Sequence, residues 1–260
     1  MELAHRVALN GVQLDSLDDR ILITAVDEAA GKDTITAVSL GAGNGQRING
    51  KRRDTLDLTV KFALRIRNND MAGRSELLDL VNAWAFPGGL LTLGNRVEKH
   101  LQVVLAQAPG GGDQYKWTNE YTMVFRAYGI PFWEDEDATS VTLEQDDAGG
   151  GTITVPGSAE TVGEIRVQNK SGSTLDGLSV TINGYTMSFS DLGLANNGFL
   201  RVDHVLAGGV NVMRARIGST SVMTKRSGAD EFVMVPGVNA IGYAADGEVI
   251  LQVSVRGRYL

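Results

Sequence analysis

One stretch of this chain constrains its fold more than any other. Over residues 55–65, Leu56, Leu58, Val60, Phe62 and Leu64 occupy every second position, with Asp57, Thr59, Lys61 and Ala63 between them. A period of two sends alternate side chains to opposite faces of an extended backbone, so the segment is expected to be a long strand with one dry face and one wet face. Shorter alternating runs at 21–26, 34–40, 101–108 and 121–128 are separated by turns rich in Gly, Asn and Asp. One segment departs from that period. At 71–86, Leu77, Leu80, Val81 and Trp84 follow the i, i+3, i+4, i+7 stripe of an amphipathic helix, which Pro87-Gly88-Gly89 terminates. The first half of the chain is therefore expected to be a β-barrel or sandwich carrying one α-helix.

Beyond residue 150 the rhythm changes to short strands at regular spacing: 164–169, 178–182, 186–189, 199–203, 210–216, 232–235, 239–243 and 249–255, with no helical stripe among them. That is the pattern of a β-sandwich or jelly roll. Gly-Val-Asn at 209–211 and at 237–239 enters a strand each time and reads as repeated turn chemistry. Between the halves the charge balance breaks. Residues 1–130 hold 15 basic and 15 acidic side chains and residues 151–260 hold nine of each, so the net charge of -7 rests on Glu134, Asp135, Glu136, Asp137, Glu144, Asp146 and Asp147. Gly149-Gly150-Gly151 closes this stretch with residues that favour no regular element. The expected organisation is a first domain at 1–133, an acidic Gly-rich junction at 134–151 and a second domain at 152–260. The junction reads as a solvated linker, with a divalent-cation or partner contact as the alternative.

Composition removes several classes of function. There are no cysteines, so disulfides, Cys-ligated zinc and thiol nucleophiles are excluded together. No apolar run reaches the roughly 18 residues that a bilayer span requires, and residues 1–10 lack the basic and apolar segments of a secretory leader. The expectation is a soluble protein made in the cytoplasm, without membrane insertion. Two neutral halves and an acidic junction lack the basic surplus that sequence-specific DNA binding draws on.

Chemistry-bearing motifs are few. Gly45 to Lys51 imitates a phosphate-cradling loop, but Arg52 stands where a magnesium-binding hydroxyl belongs and a strand follows where a helix should. Arg47, Lys51, Arg52 and Arg53 read instead as an exposed hairpin tip, solvated or docked on an acidic partner. His5, His100 and His204 are far apart in sequence, with no metal-ligand or triad spacing. Four adjacent acids at 134–137 cannot easily face each other across a cleft, as glycoside hydrolysis requires. No catalytic residue, cofactor or metal is assigned, and the chain is not expected to be an enzyme. A sandwich can also bind sugars on an aromatic face. All three tryptophans precede residue 150, leaving Tyr185, Tyr243 and Tyr259 as weaker platforms, with Tyr185 and Tyr243 the candidates for such a reading.

The order of landmarks carries a resemblance. Asn10-Gly11 stands near the start, then a glycine-rich loop at 41–50, the long strand at 56–64, and Trp84-Ala85-Phe86-Pro87-Gly88-Gly89 ahead of Leu90-Leu91-Thr92-Leu93. Ile130-Pro131-Phe132-Trp133 follows, and a sandwich ends in Val235-Pro236-Gly237-Val238-Asn239-Ala240-Ile241. This resembles the distal tail protein family of siphophages over nearly the full length. The resemblance implies a hub in the virion, at the distal end of the phage tail. Its first domain would form a homo-hexameric ring, and a galectin-like second domain would point outward. The ring would join the tail-tube protein to the tail-tip or baseplate protein and let DNA pass through its channel without specific binding. Under this reading Leu56, Leu58, Val60 and Phe62, with Leu80 and Trp84 of the helix, are expected at the core of the ring domain and its interface. The basic tip Arg47, Lys51, Arg52 and Arg53 is expected to contact a neighbouring ring or partner. The alternatives are a host-adhesion or carbohydrate-binding protein, and the tail-tube subunit itself.

Overall fold

A computed structural model of the chain describes residues 6–29, 31–39, 46–67, 70–110, 120–144, 150–207 and 210–260. It divides into two units, Met1–Trp133 and Glu134–Leu260. No helix among the described residues is long and apolar enough to cross a membrane.

The first unit contains, in chain order, β1 (Val7–Leu9), β2 (Val12–Gln13), β3 (Ile21–Glu28), β4 (Lys32–Ser39), β5 (Gln46–Leu64), α1 (Met71–Ala85), β6 (Gly89–Leu93), β7 (Lys99–Gly110) and β8 (Glu120–Ala127). The strands form an antiparallel sheet in the order β2-β1-β6-β7-β8-β5-β3, with β4 added to β5. The alternation at 55–65 becomes the inner half of β5. Leu56, Leu58, Val60, Phe62 and Leu64 are all buried, and β8 sets Phe125, Met123 and Tyr121 opposite Leu58, Val60 and Phe62. The sheet is open rather than a closed barrel, because β2 and β3 end the path without pairing to each other.

Helix α1 supplies the other side of this core. Asp70 starts it by accepting the Gly73 N–H at 2.9 Å. Its inner line is Arg74, Leu77, Val81 and Ala85. Trp84 lies at the helix margin, edge-on to Phe125 with ring centroids 6.0 Å apart, and donates its indole N–H to the Val12 carbonyl at 3.0 Å. Leu80, expected in the core, is 37% exposed. The buried line is rotated from the expected stripe and passes through Arg74, 9% exposed, a placement that a charged residue does not advertise. The chain then turns at Gly88, whose φ is 63°. A Cβ there would lie 2.5 Å from the Val103 carbonyl oxygen, so only glycine lets the turn press against β7.

The second unit begins within β9 (Trp133–Asp135) and continues through β10 (Thr139–Leu143), β11 (Gly150–Val155), β12 (Thr161–Val162), β13 (Glu164–Asn169), β14 (Leu178–Ile182) and β15 (Tyr185–Phe189). It is completed by β16 (Phe199–Ala207), β17 (Val210–Ile217), β18 (Thr220–Ser221), β19 (Arg226–Gly228), β20 (Val233–Met234), β21 (Gly237–Ala245), β22 (Val249–Val255) and β23 (Arg258–Tyr259). A six-stranded sheet (β10-β22-β13-β16-β17-β18) and a five-stranded sheet (β11-β21-β14-β15-β19) share one apolar core, with β12 and β20 paired separately. This is a sandwich of the galectin-like kind, and the described residues are mainly β with one α-helix. Buried Asn239 closes the Pro236-Gly237 turn. Its amide accepts the Val235 N–H at 3.0 Å and donates to the carbonyls of Val235 and Gly237 at 2.8 and 2.9 Å.

The acidic junction is corrected by the structure. Residues 139–143 form β10 on β22, and Gly150 and Gly151 lie inside β11, opposite Gly242 and Ile241 of β21. A Cβ on Gly151 would sit 2.5 Å from a Leu143 methyl, so this glycine permits close packing of two strands and is not a flexible spacer. Residues 145–149 lie outside the described residues.

Candidate functional site

Two surfaces bear on function, one in each unit. In the first unit, β5 outruns the sheet: among the described residues its outer part pairs only with β4, from Lys32 opposite Thr55 to Ser39 opposite Gln46, with irregularities after Lys32 and Thr36. The result is a two-stranded arm. Thr34, Ile35, Thr36 and Ala37 are exposed on it, Ile35 at 55%. The backbone of Arg47, Lys51 and Arg52 lies on this arm, while their side chains and residues 40–45 fall outside the described residues. Arg53 is held near its base. Its guanidinium bonds Asp33 at 3.1 Å and lies 5.5 Å from the Phe132 ring centre. The expected basic tip is therefore basic along one strand of a hairpin, with Arg53 already neutralised.

Leu56, Leu58, Val60 and Phe62 are at most 3% exposed within the single chain, which corrects their assignment as interface residues. They fill the unit's own core and present nothing to a second subunit. The wet face of the same strand is tied by charge. Asp57 pairs with Arg126 of β8, and Lys61 pairs with Asp27 of β3 at 2.7 Å, which raises the lysine's pKa. The end of the unit is fixed by Trp133, fully buried, whose indole N–H donates to Glu28 at 2.7 Å while Arg96 bonds the same carboxylate at 2.9 and 3.0 Å.

The acidic run at 134–137 is engaged in its first half, while Glu136 and Asp137 are exposed. Glu134 pairs with Arg258 at 2.9 Å, both side chains nearly buried, and Asp135 accepts from the Tyr259 hydroxyl at 3.2 Å. Burial first, then that carboxylate, push the Tyr259 phenol upward in pKa. Arg256 donates to the carbonyls of Asp135 and Glu136. These contacts occupy two of the four acids, and no group of three His, Asp or Glu residues placed to hold a metal ion occurs among the described residues. His5 lies outside them, His100 is buried in the first unit and His204 is half-buried in the second.

In the second unit, Tyr185 is 64% exposed but stands at a strand end. Tyr243 shares the inward parity of Asn239 and Ile241, packs against the core and donates its hydroxyl to the Glu144 carbonyl at 2.6 Å. The two do not make a common sugar platform. The outer face of the six-stranded sheet is richer in chemistry. Asp203, with a side chain only 6% exposed, bonds Arg214 at 3.1 Å, Arg216 at 3.2 Å and Arg201 at 3.1 Å, and Arg201 also bonds Glu164 at 2.8 Å. Nothing in the sequence alone marks this cluster, since its members meet only through strand register.

No family model and no curated protein matches the chain. Among solved structures, it is similar to the Dit (gp 19.1) protein of phage SPP1, described as a paradigm of the hub adsorption apparatus in phages infecting Gram-positive bacteria. The identity is 12% and the TM-score 0.68, over 98% of this chain and 99% of that one. Two structures of the phage p2 baseplate in its activated conformation also align. The strontium form does so at 7% identity and TM-score 0.43, covering 96% of each chain. The calcium form does so at 7% and 0.42, covering 92% of this chain and 90% of that one. The first likeness establishes that this chain has the fold of the SPP1 hub protein from end to end.

Proposed function

We propose that the chain is a structural subunit of the distal phage tail, with six copies closing a ring that joins the tail tube to the tail-tip or baseplate protein. One observation carries this reading: both units, in order, superpose on a protein described as a hub, leaving almost none of either chain unmatched. The outer edge of β4, which no strand among the described residues pairs, is suited to ring closure, because an exposed strand edge adds to another sheet unless something prevents it. A heterologous contact of that kind generates a closed ring when the rotation closes. Arg47, Lys51 and Arg52 on the partner strand of the arm would then meet an acidic surface of a neighbouring subunit or of the tube.

Light scattering on the purified chain across concentration and salt tests this. The expected mass is six or twelve times the 27.8 kDa chain. An open-ended series of masses would instead identify a tube subunit, whose rings stack on copies of themselves. A monomer at every concentration, together with no ring in electron micrographs after mixing with tail tubes, would overturn the proposal.

A further inference from the structure

The outer face of the six-stranded sheet holds an arrangement that folding alone disfavours. Register sets Thr142 of β10 opposite Gln252 of β22, Gln252 opposite Arg166 of β13, Arg166 opposite Arg201 of β16, and Arg201 opposite Arg216 of β17. Three arginines thus stand side by side on adjacent strands, where like charges directly opposite destabilise a sheet. Two of them are compensated: Asp203 and Glu164 take Arg201, and Asp203 also takes Arg216. Arg166 is not. Among the described residues no carboxylate pairs with it, and its guanidinium is held 4.2 Å from the centre of the Phe199 ring. Beside it runs a groove of about 280 Å³ lined by Thr142, Arg166, Gln168, Phe199, Ile250 and Gln252.

We propose that this groove binds an acidic saccharide, a sugar ring carrying a carboxylate or a phosphate. An uncompensated guanidinium, pre-oriented by stacking, offers a planar fork to an anionic group. Gln168, Gln252 and Thr142 each present both a donor and an acceptor, which is what sugar hydroxyls require. Ile250 and the exposed part of Phe199 offer apolar surface to the ring's C–H groups. A peptide is the poorer fit. The groove crosses β10, β22, β13 and β16; the last three are flanked by strands on both sides, so along most of its length the backbone groups are spent in ladders and only its Thr142 end lies on an edge strand. The site moves saccharide recognition from Tyr185 and Tyr243 to a different face. It does not depend on the ring, although a ring would repeat it and multiply weak binding.

Saturation-transfer NMR on the full chain, which observes the ligand and tolerates a large assembly, tests the proposal with D-glucuronate, glucose 1-phosphate and glucose. Transfer to glucuronate, to the sugar phosphate or to both, with none to glucose, is expected, and the pattern shows which anion the groove takes. Arg166→Met keeps an apolar stem against Phe199 and removes the charge. It should weaken binding about tenfold or more, while the thermal midpoint, read in parallel, does not fall. Four results would overturn the idea: equal transfer to glucose, no transfer to any of the three, undiminished binding by Arg166→Met, or displacement of the sugar phosphate by inorganic phosphate at equal potency. An oligoglutamate peptide that binds through Arg166 where the sugars do not would identify an acidic protein as the occupant and likewise refute it.

Discussion

Removing the charge of Asp203 isolates what holds the arginine face together. Asp203→Asn keeps the shape of the side chain but leaves Arg201, Arg214 and Arg216 around a neutral amide. Breaking a buried ion pair by removing one partner costs roughly 3–5 kcal/mol. The carboxylate here is 6% exposed, but the three arginines are 47%, 39% and 32% exposed and can turn to water. Solvent screening therefore reduces the expected loss to about 2 kcal/mol. For a unit of this size that lowers the thermal midpoint by roughly 6–10 °C. Scanning calorimetry reads the change, and tryptophan fluorescence helps to assign the affected transition. Trp84 and Trp117 belong to the first unit and Trp133 is its last residue, so the fluorescence reports chiefly on the first unit. Without the carboxylate the three guanidinium groups lose its attraction and repel one another, so at about 1 M salt, where the Debye length is near 3 Å, the deficit should shrink markedly. Adding Arg214→Met should recover part of it, because one uncompensated cation is gone. A midpoint unchanged by Asp203→Asn, or a loss that salt does not alter, would show that the cluster is a set of solvated surface contacts.

The other predictions concern both units. Phe62→Ala empties a fully buried site stacked on Tyr121 at 5.6 Å and should cost about 3–5 kcal/mol, lowering the transition seen in tryptophan fluorescence. Asn10 has a φ of 52° and bridges the Gly88 carbonyl at 2.9 Å and the Leu90 N–H at 3.0 Å. Asn10→Ala loses the bridge and keeps the left-handed backbone, whereas Asn10→Gly loses only the bridge. Urea unfolding should rank alanine below glycine by about 1 kcal/mol, and equal stabilities would refute the backbone part of the argument. Burial, with Arg258 adding to it, lowers the pKa of His204 from its ordinary 6.5 against the pull of Glu231 and Asp203. The unfolded chain therefore takes up this proton first, so stability present above pH 6.5 is lost as the pH falls from there toward the lower folded value. His204→Gln should flatten that part of the urea-midpoint profile, and an unchanged slope would assign it to other groups.

Elements whose two faces differ in polarity were legible in the sequence; what those faces meet was not. Residues 164–169, 178–182 and 249–255 are strands with the expected bounds, and the helix ends one residue short of its expected limit. Each of these segments states its own inside and outside through its period. The helix stripe failed where an arginine stem replaced an apolar residue, and the junction failed because acids and glycines in a row resemble a linker whether or not ion pairs and close strand contacts absorb them. Tyr243 could have been placed correctly by counting parity from Ile241, one strand period earlier. Leu56, Leu58, Val60 and Phe62 could likewise have been kept from an interface, since a residue that fills its own core has no second face to offer.

The arginine row shows where such counting stops. Arg166, Arg201 and Arg216 are distant in sequence, each on the polar side of an unremarkable strand, and they become neighbours only because β13, β16 and β17 pair in the register observed. A slip of one residue would turn the whole polar set of a strand into the core, so the register is strongly specified by Ile165, Val167, Leu200 and Val202 facing inward. The apolar pattern thus determines which charges meet on the opposite face. Once the core has set that alignment, three adjacent cations are tolerated only with Asp203 and Glu164 beside them. The arginine they leave uncompensated is the one that borders the groove.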